Sequence, residues 1–255
     1  MSTESAVTPH CLLYNGEHQT TPASPHVAGQ MLARTRVFSF GSFGVLVAAS
    51  EMIGGDPIHY IFTLSIFLVS LSIHEYAHAR MAYRYGDDTA ARMGRMTLNP
   101  AAHISLFGTI ILPLLVGFGW AKPVPVDFSV LNRRQMFNVA AAGPGSNLLL
   151  AVALAVFFHL FRLRTSPLLG SFVLLAILYN IILAVFNLLP IPPLDGSRMV
   201  YAKLKSPQSI QAYRYASQFG LIILIAFLWL GGFHRIIVPV VGLLYTLLGL
   251  PLPRL

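Results

Sequence analysis

The sequence predicts an all-α polytopic membrane protein: about six transmembrane helices, with a small strand and re-entrant-loop element between the second and third crossings. Three observations predict it. The 255 residues are 55% hydrophobic and only 10% charged, far more apolar than a water-soluble domain of this size. Apolar runs near the length that crosses a hydrocarbon core of about 30 Å recur along the chain. Lys and Arg gather in alternate connections between those runs, as the positive-inside bias requires.

Residues 1–33 are polar, lack periodicity and carry Glu4 and Glu17 with no apolar run, so they fit neither a signal peptide nor an Arg-rich transit peptide. They read as a disordered tail in which His10, His18 and His26 are solvated, and residues 34–255 as a single transmembrane domain. Seven apolar runs follow, at 37–53, 57–80, 104–119, 137–161, 168–190, 217–233 and 236–252. The run 104–119 is short and broken by Gly108, Pro113 and Gly117, which suits a segment that dips and returns.

Charge decides its topology. With Arg34 and Arg36 inside and 104–119 re-entrant, Arg80, Arg84, Arg133, Arg134 and the basic loop 198–214 all fall on the cytoplasmic side, and Arg162, Arg164 and Arg235 outside. If the run crosses, the loop 198–214 and the pair Arg133–Arg134 move outside, against the bias. Both ends are therefore expected inside. Residues 86–135 are rich in Gly, Pro and Asn with a few β-prone residues, and read as a strand-and-loop element at the cytoplasmic edge.

The net charge of +8 is dispersed among segment ends and forms no basic-aromatic surface, which argues against a nucleic-acid partner. Cys11, the single cysteine, excludes an internal disulfide and any multi-cysteine zinc or iron–sulfur site.

The chemistry concentrates in His74-Glu75-Tyr76-Ala77-His78, late in the run 57–80. On a helix, two histidines four apart project from one face and can grip a zinc ion through two nitrogens. Glu75 beside them can take a proton from an attacking water and pass it to the leaving amine. H-E-x-x-H arises by chance in roughly one of two hundred chains of this composition, so context has to add weight. It does, because ionisable groups within an apolar helix are costly and usually functional.

Catalytic zinc takes a third protein ligand and keeps one position open. No glutamate follows Glu75, and positions 81 and 84 are Met and Arg, so two familiar extensions of the motif fail. The remaining carboxylates are Asp87, Asp88, Asp127 and Asp195. Asp87 and Asp88 read as a solvated turn after Gly86, and Asp127 lies in a Pro-rich loop. Asp195 ends Asn187-Leu188-Leu189-Pro190-Ile191-Pro192-Pro193-Leu194-Asp195-Gly196, where prolines break the helix and let a carboxylate turn inward at membrane depth.

These residues resemble the site-2 protease family of intramembrane zinc peptidases, marked by H-E-x-x-H and a later N-x-x-P-x-P-x-L-D-G. Both stand complete in this chain, and Gly143-Pro144-Gly145-Ser146-Asn147 is similar to the family's G-P-x-x-N. The resemblance covers about residues 57–200. It implies one Zn2+ held by His74, His78 and Asp195, with Glu75 catalytic and with Asn147 and Asn187 holding the substrate backbone or stabilising the oxyanion. An Asn amide both donates and accepts, so the physics permits this; equally, each Asn could glue helices through interhelical hydrogen bonds, with Gly143 and Gly145 allowing close approach. Asn99-Pro100-Ala101-Ala102-His103-Ile104-Ser105 is similar to a subgroup pattern that has Asp where Ser105 stands here.

The expectation is a zinc-dependent intramembrane endopeptidase of a bacterial or archaeal plasma membrane, acting on transmembrane segments in contact with membrane lipid, with its active site toward the cytoplasm. The other class is a non-catalytic membrane protein that binds metal or helices without cutting.

Overall fold

The computed structural model describes residues 57–105 and 122–251. The tail 1–33, the run 37–53 and nearly all of 104–119 lie outside the described residues. Helix α1 spans Pro57–Arg84 and α2 Thr89–Arg92, followed by a 3-10 turn at Pro100–Ala102. Helix α3 is Arg133–Leu160; a second 3-10 turn, Leu163–Thr165, leads into α4, Pro167–Asn187. Helices α5 (Asp195–Lys203), α6 (Pro207–Gln218) and α7 (Gly220–Trp229) follow, and a π-helical turn, Phe233–Ile237, runs into α8, Val238–Leu247.

Local chemistry sets these boundaries. Helix α3 starts with a capping box: the Asn132 side chain accepts from the Gln135 N–H and the Gln135 side chain accepts from the Asn132 N–H. Helix α1 stops at Tyr85-Gly86, where Gly86 takes φ +95°, a conformation that costs glycine little. Helix α4 opens on Pro167 and closes at Asn187, just before Pro190, Pro192 and Pro193.

Among the described residues two helices, α3 and Leu168–Asn187 of α4, are long and apolar enough to cross a membrane by length and composition. A third span exists if α6 and α7 count as one, although they are bent by 68° at their junction. The run 217–233 is thus split, and Phe233–Leu247 is shorter than a full span. The expected run 57–80 falls on α1, whose second half carries HEYAH.

Among the described residues there is no strand; of the region 86–135, where a strand-and-loop element is expected, residues 106–121 lie outside the described residues. Residues 122–126 belong to no helix, turn or ladder. Pro123 and Pro125 have no N–H to give, and the Val124 N–H goes to a side chain instead.

Helix α3 is the hub. It packs against α4, α1 and α5, and α1 also packs against α4. Leu71, Tyr179 and Leu183 fill the α1–α4 seam, while Ala155, Ile177, Leu224 and Val241 belong to the larger core joining α3, α4, α7 and α8. Polarity is inverted relative to a water-soluble protein: Leu149, Leu160, Leu168 and Trp229 are exposed, while His74, Glu75, Asn147, Asn180 and Asp195 are fully buried.

Candidate metal centre

The helical spacing of four brings the His74 and His78 rings to one face of α1, where their Nε2 atoms lie 3.0 Å apart. That face meets α3. From α4 the chain turns through 188–194 and begins α5 at Asp195, whose Oδ2 reaches within 3.2 Å of His74 Nε2 and 3.1 Å of His78 Nε2. Gly196 permits this turn: a Cβ there would stand 2.2 Å from the Leu188 carbonyl oxygen. The structure therefore gathers His74, His78 and Asp195, 121 residues apart at the extremes, into the one group of three metal-ligating side chains found among the described residues.

The donor set fits zinc. A tetrahedral ion with bonds of about 2.0–2.1 Å holds its ligand atoms about 3.3 Å apart. The three edges here are 3.0, 3.1 and 3.2 Å. Gly143 on α3 adds a second fit, since a Cβ at that position would lie 2.2 Å from His78 Nε2 and 2.6 Å from His74 Nε2. Space beside both ligating nitrogens is thus kept by the lack of a side chain. A Cβ at Gly145 would meet nothing within 4 Å, so the close approach expected of both glycines belongs to Gly143 alone.

The far side of each ring is fixed. His78 Nδ1–H donates to the Val139 carbonyl at 2.7 Å, and His74 Nδ1–H donates to Asn147 Oδ1 at 2.6 Å. Val139, Gly143 and Asn147 are spaced by four along α3, so one helical face holds one ring, leaves room for the ion, and holds the other ring. Orientation of the Asn147 amide follows from two backbone carbonyls. Asn180 Nδ2 donates to the Ala176 carbonyl and to Ser70 Oγ, which turns Asn180 Oδ1 toward Asn147. Asn147 Nδ2 then donates to Asn180 Oδ1 at 2.9 Å and to the Ser70 carbonyl at 3.2 Å, leaving Oδ1 to face His74. His74 must carry its proton on Nδ1, and Nε2 presents its lone pair to the metal position.

Asn147 is fully buried, with its carbonyl facing His74 and both N–H groups donated within the bundle, as the helix-bonding alternative expects. Asn187 differs. Its Nδ2 donates to the Leu183 carbonyl of its own helix, and its buried Oδ1 has no hydrogen-bond partner among the described residues.

Glu75 is fully buried, with Oε2 accepting the Val124 N–H at 2.8 Å and Oε1 without a hydrogen-bond partner among the described residues. Arg198 Nη1 lies 4.0 Å from Asp195 Oδ1.

Asp87, expected in a solvated turn, is buried, because Oδ1 accepts the Thr89 N–H and Oδ2 the Asp127 N–H. Its neighbour Asp88 is half-buried and pairs with Arg92. His103 is buried with Nε2–H donating to the Thr97 carbonyl, and burial lowers its pKa. Sequence reading missed Gly143 as the keeper of metal space and Asn180 as the anchor of the Asn147 amide. Asn180 had a signal, a lone amide inside the apolar run LLAILYNIILAVF.

Known proteins agree with the motifs. Residues 62–166 and 162–229 match Peptidase family M50. The chain is 44% identical over 142 residues to YwhC of Bacillus subtilis (strain 168), named as a candidate zinc metalloprotease; the match covers 52% of this chain and 64% of that protein. It is 32% identical over 174 residues to Rip2 of Mycolicibacterium smegmatis, covering 66% of this chain and 67% of that one, and 29% identical over 176 residues to MJ0611 of Methanocaldococcus jannaschii, covering 67% and 78%. Both carry the same kind of name. No solved structure matches the chain significantly. A metal triad on α1 and α5, ring-holding residues on α3 and a family match across most of the described bundle lead to one conclusion: this chain belongs to peptidase family M50, the site-2 protease family of zinc metalloproteases.

Proposed function

We propose that this chain is a zinc-dependent intramembrane endopeptidase that cuts transmembrane segments of other proteins, with Glu75 as general base and then general acid. One observation carries the reading: three ligand atoms converge at zinc spacing beside a fully buried glutamate that has one free oxygen. His74, His78 and Asp195 would hold the ion. When bound, zinc polarises the scissile carbonyl and makes a water acidic enough to attack near neutral pH. Glu75 Oε1 takes the proton of the attacking water and hands it to the leaving nitrogen. Asn187 Oδ1 accepts a substrate N–H, which orients the peptide and satisfies an amide that the bilayer cannot. The substrate helix must unwind locally, because an intact helix keeps its amides internally bonded.

The apolar outer faces of α3, α4 and α7 support contact with membrane lipid. Arg80, Arg84, Arg133 and Arg134 lie toward the ends of α1 and α3 nearest the metal triad, which supports a cytoplasmic-side site; the membrane read for it is a bacterial or archaeal plasma membrane.

The test is Glu75→Gln in protein purified in detergent, assayed for zinc content and for cleavage of a model transmembrane peptide. Zinc should stay at one per chain while cleavage falls at least about 100-fold, the usual contribution of a general base. A Gln variant that cuts at the normal rate would sink the mechanism, and a wild type that holds zinc without ever cutting would favour the non-catalytic class.

A further inference from the structure

Residues 122–127, Lys-Pro-Val-Pro-Val-Asp, pass beside Glu75 outside any helix or strand, and the pattern of their hydrogen bonds is unusual. Pro123 and Pro125 have no N–H, so over three consecutive residues the chain offers a single backbone donor, that of Val124. That donor goes to Glu75 Oε2 at 2.8 Å. A residue before proline is confined to extended backbone, and Lys122 and Val124 both precede one, so the segment is stiff by sequence.

It is also clamped on each side of Val124. Lys122 N–H donates to the His103 carbonyl at 2.9 Å. Arg95 Nη2 donates to the Lys122 carbonyl at 2.6 Å and reaches the Pro123 carbonyl at 3.3 Å. Asp87 Oδ2, from the turn that ends α1, accepts the Asp127 N–H at 2.8 Å. The Val124 side chain is buried with Ala79 and Ala90, and Val126 with Ala82 and Val139. One residue beyond the segment, the Phe128 ring lies under the Arg198 guanidinium at 5.2 Å, and Arg198 faces Asp195. Two charged side chains, Arg95 and Asp87, are thus committed to the backbone of a segment whose one central donor is committed to Glu75.

We propose that residues 122–127 form a strap that positions the general base, with the Val124 N–H as its contact and with Arg95 and Asp87 as positioning residues that set its register. The strap holds Glu75 by Oε2 alone, so the carboxylate stays oriented while Oε1 remains available for the proton. A one-ångström misplacement of a catalytic group costs about 100-fold in rate, so a clamp on this single bond matters kinetically. The proposal rests on Glu75 being the base.

The test compares Val124→Pro, which deletes the donor but suits the extended backbone, with Val124→Ala, which keeps it, in the full-length zinc-loaded protein. Val124→Pro should lower kcat at least about tenfold with KM within about twofold and zinc content unchanged, whereas Val124→Ala, which trims a buried side chain but keeps the donor, should lose clearly less kcat than Val124→Pro. Arg95→Met should lower kcat in the same way and Arg95→Lys should restore part of it, since an ammonium can still donate to the Lys122 carbonyl. In the metal-free protein, hydrogen exchange over 122–128 should show protection of one amide lost in Glu75→Ala. The strap is overturned if Val124→Pro, or Arg95→Met where Val124→Pro does not fold, keeps wild-type kcat. It is equally overturned if zinc is lost together with activity, or if KM rises while kcat stays. Glu75→Gln run alongside separates the two readings: if it cuts normally, the base assignment fails and the strap falls with it; if it is dead while Val124→Pro is active, only the strap fails.

Discussion

Gly143→Ala tests the metal centre with one methyl group. The added Cβ would stand 2.2 Å from His78 Nε2, 2.6 Å from His78 Cε1 and 2.6 Å from His74 Nε2, where ordinary contact needs about 3.4 Å or more. An overlap of about 1 Å cannot be relieved by turning the rings, because their Nδ1–H groups are bonded to Val139 and Asn147, four residues to either side on the same helix. The methyl therefore competes with the ion for one space. Loss of an outer-shell partner alone weakens metal binding 10–100-fold, so filling the site should cost at least about 100-fold, or about 2.7 kcal/mol. The assay is zinc retained against a competing chelator, followed by metal analysis. Gly145→Ala is the control: its Cβ meets nothing within 4 Å, and alanine is the better helix former, so zinc and fold should both persist. A Gly143→Ala protein that binds zinc as tightly as wild type would refute the reasoning that places the ion beside His74 and His78 Nε2.

Asn147→Ala removes the acceptor that holds the His74 tautomer and should weaken zinc about 10–100-fold in the same chelator competition, with no separate loss of substrate affinity once zinc is saturating. Asn187→Leu should do the opposite, keeping zinc while kcat/KM for a transmembrane peptide falls at least about tenfold, because the one free buried acceptor of that side chain is lost. Leu183→Ala, at a fully buried position between α1 and α4, should cost about 2–5 kcal/mol, read as a lowered melting temperature in detergent.

The ligating histidines were legible because the helix period translates a spacing of four into one face without any knowledge of the partner helix. Asp195 emerged because the chain offers few carboxylates and its prolines announce a broken helix at membrane depth. What lay hidden was non-local. The contacts of Asn147 depend on Asn180 and Ser70, which arrive from α4 and α1, and no local pattern ties them together. In the described part of 86–135 the β-prone Val124 and Val126 join no ladder, for a reason already written in Pro123 and Pro125, which remove alternate backbone donors. Asp87 was misjudged because exposure is the usual fate of an aspartate after a helix, and only the returning 127 backbone buries it.

Polar groups are costly within an apolar bundle unless they satisfy one another, and the Ser70–Asn180–Asn147–His74 chain does so from one end to the other. Six buried side-chain atoms have no hydrogen-bond partner among the described residues, and Glu75 Oε1, Asp195 Oδ1 and Asn187 Oδ1 are three of them. All three are acceptors on the residues that the proposed reaction uses. A bundle that merely glued its helices through polar contacts would saturate these oxygens as fully as it saturates Asn147. Keeping unspent acceptors on the base, on the carboxylate ligand and on the substrate-facing amide suits a centre whose hydrogen bonds are completed by what it binds, which is why Asn147→Ala and Asn187→Leu are expected to fail in different assays.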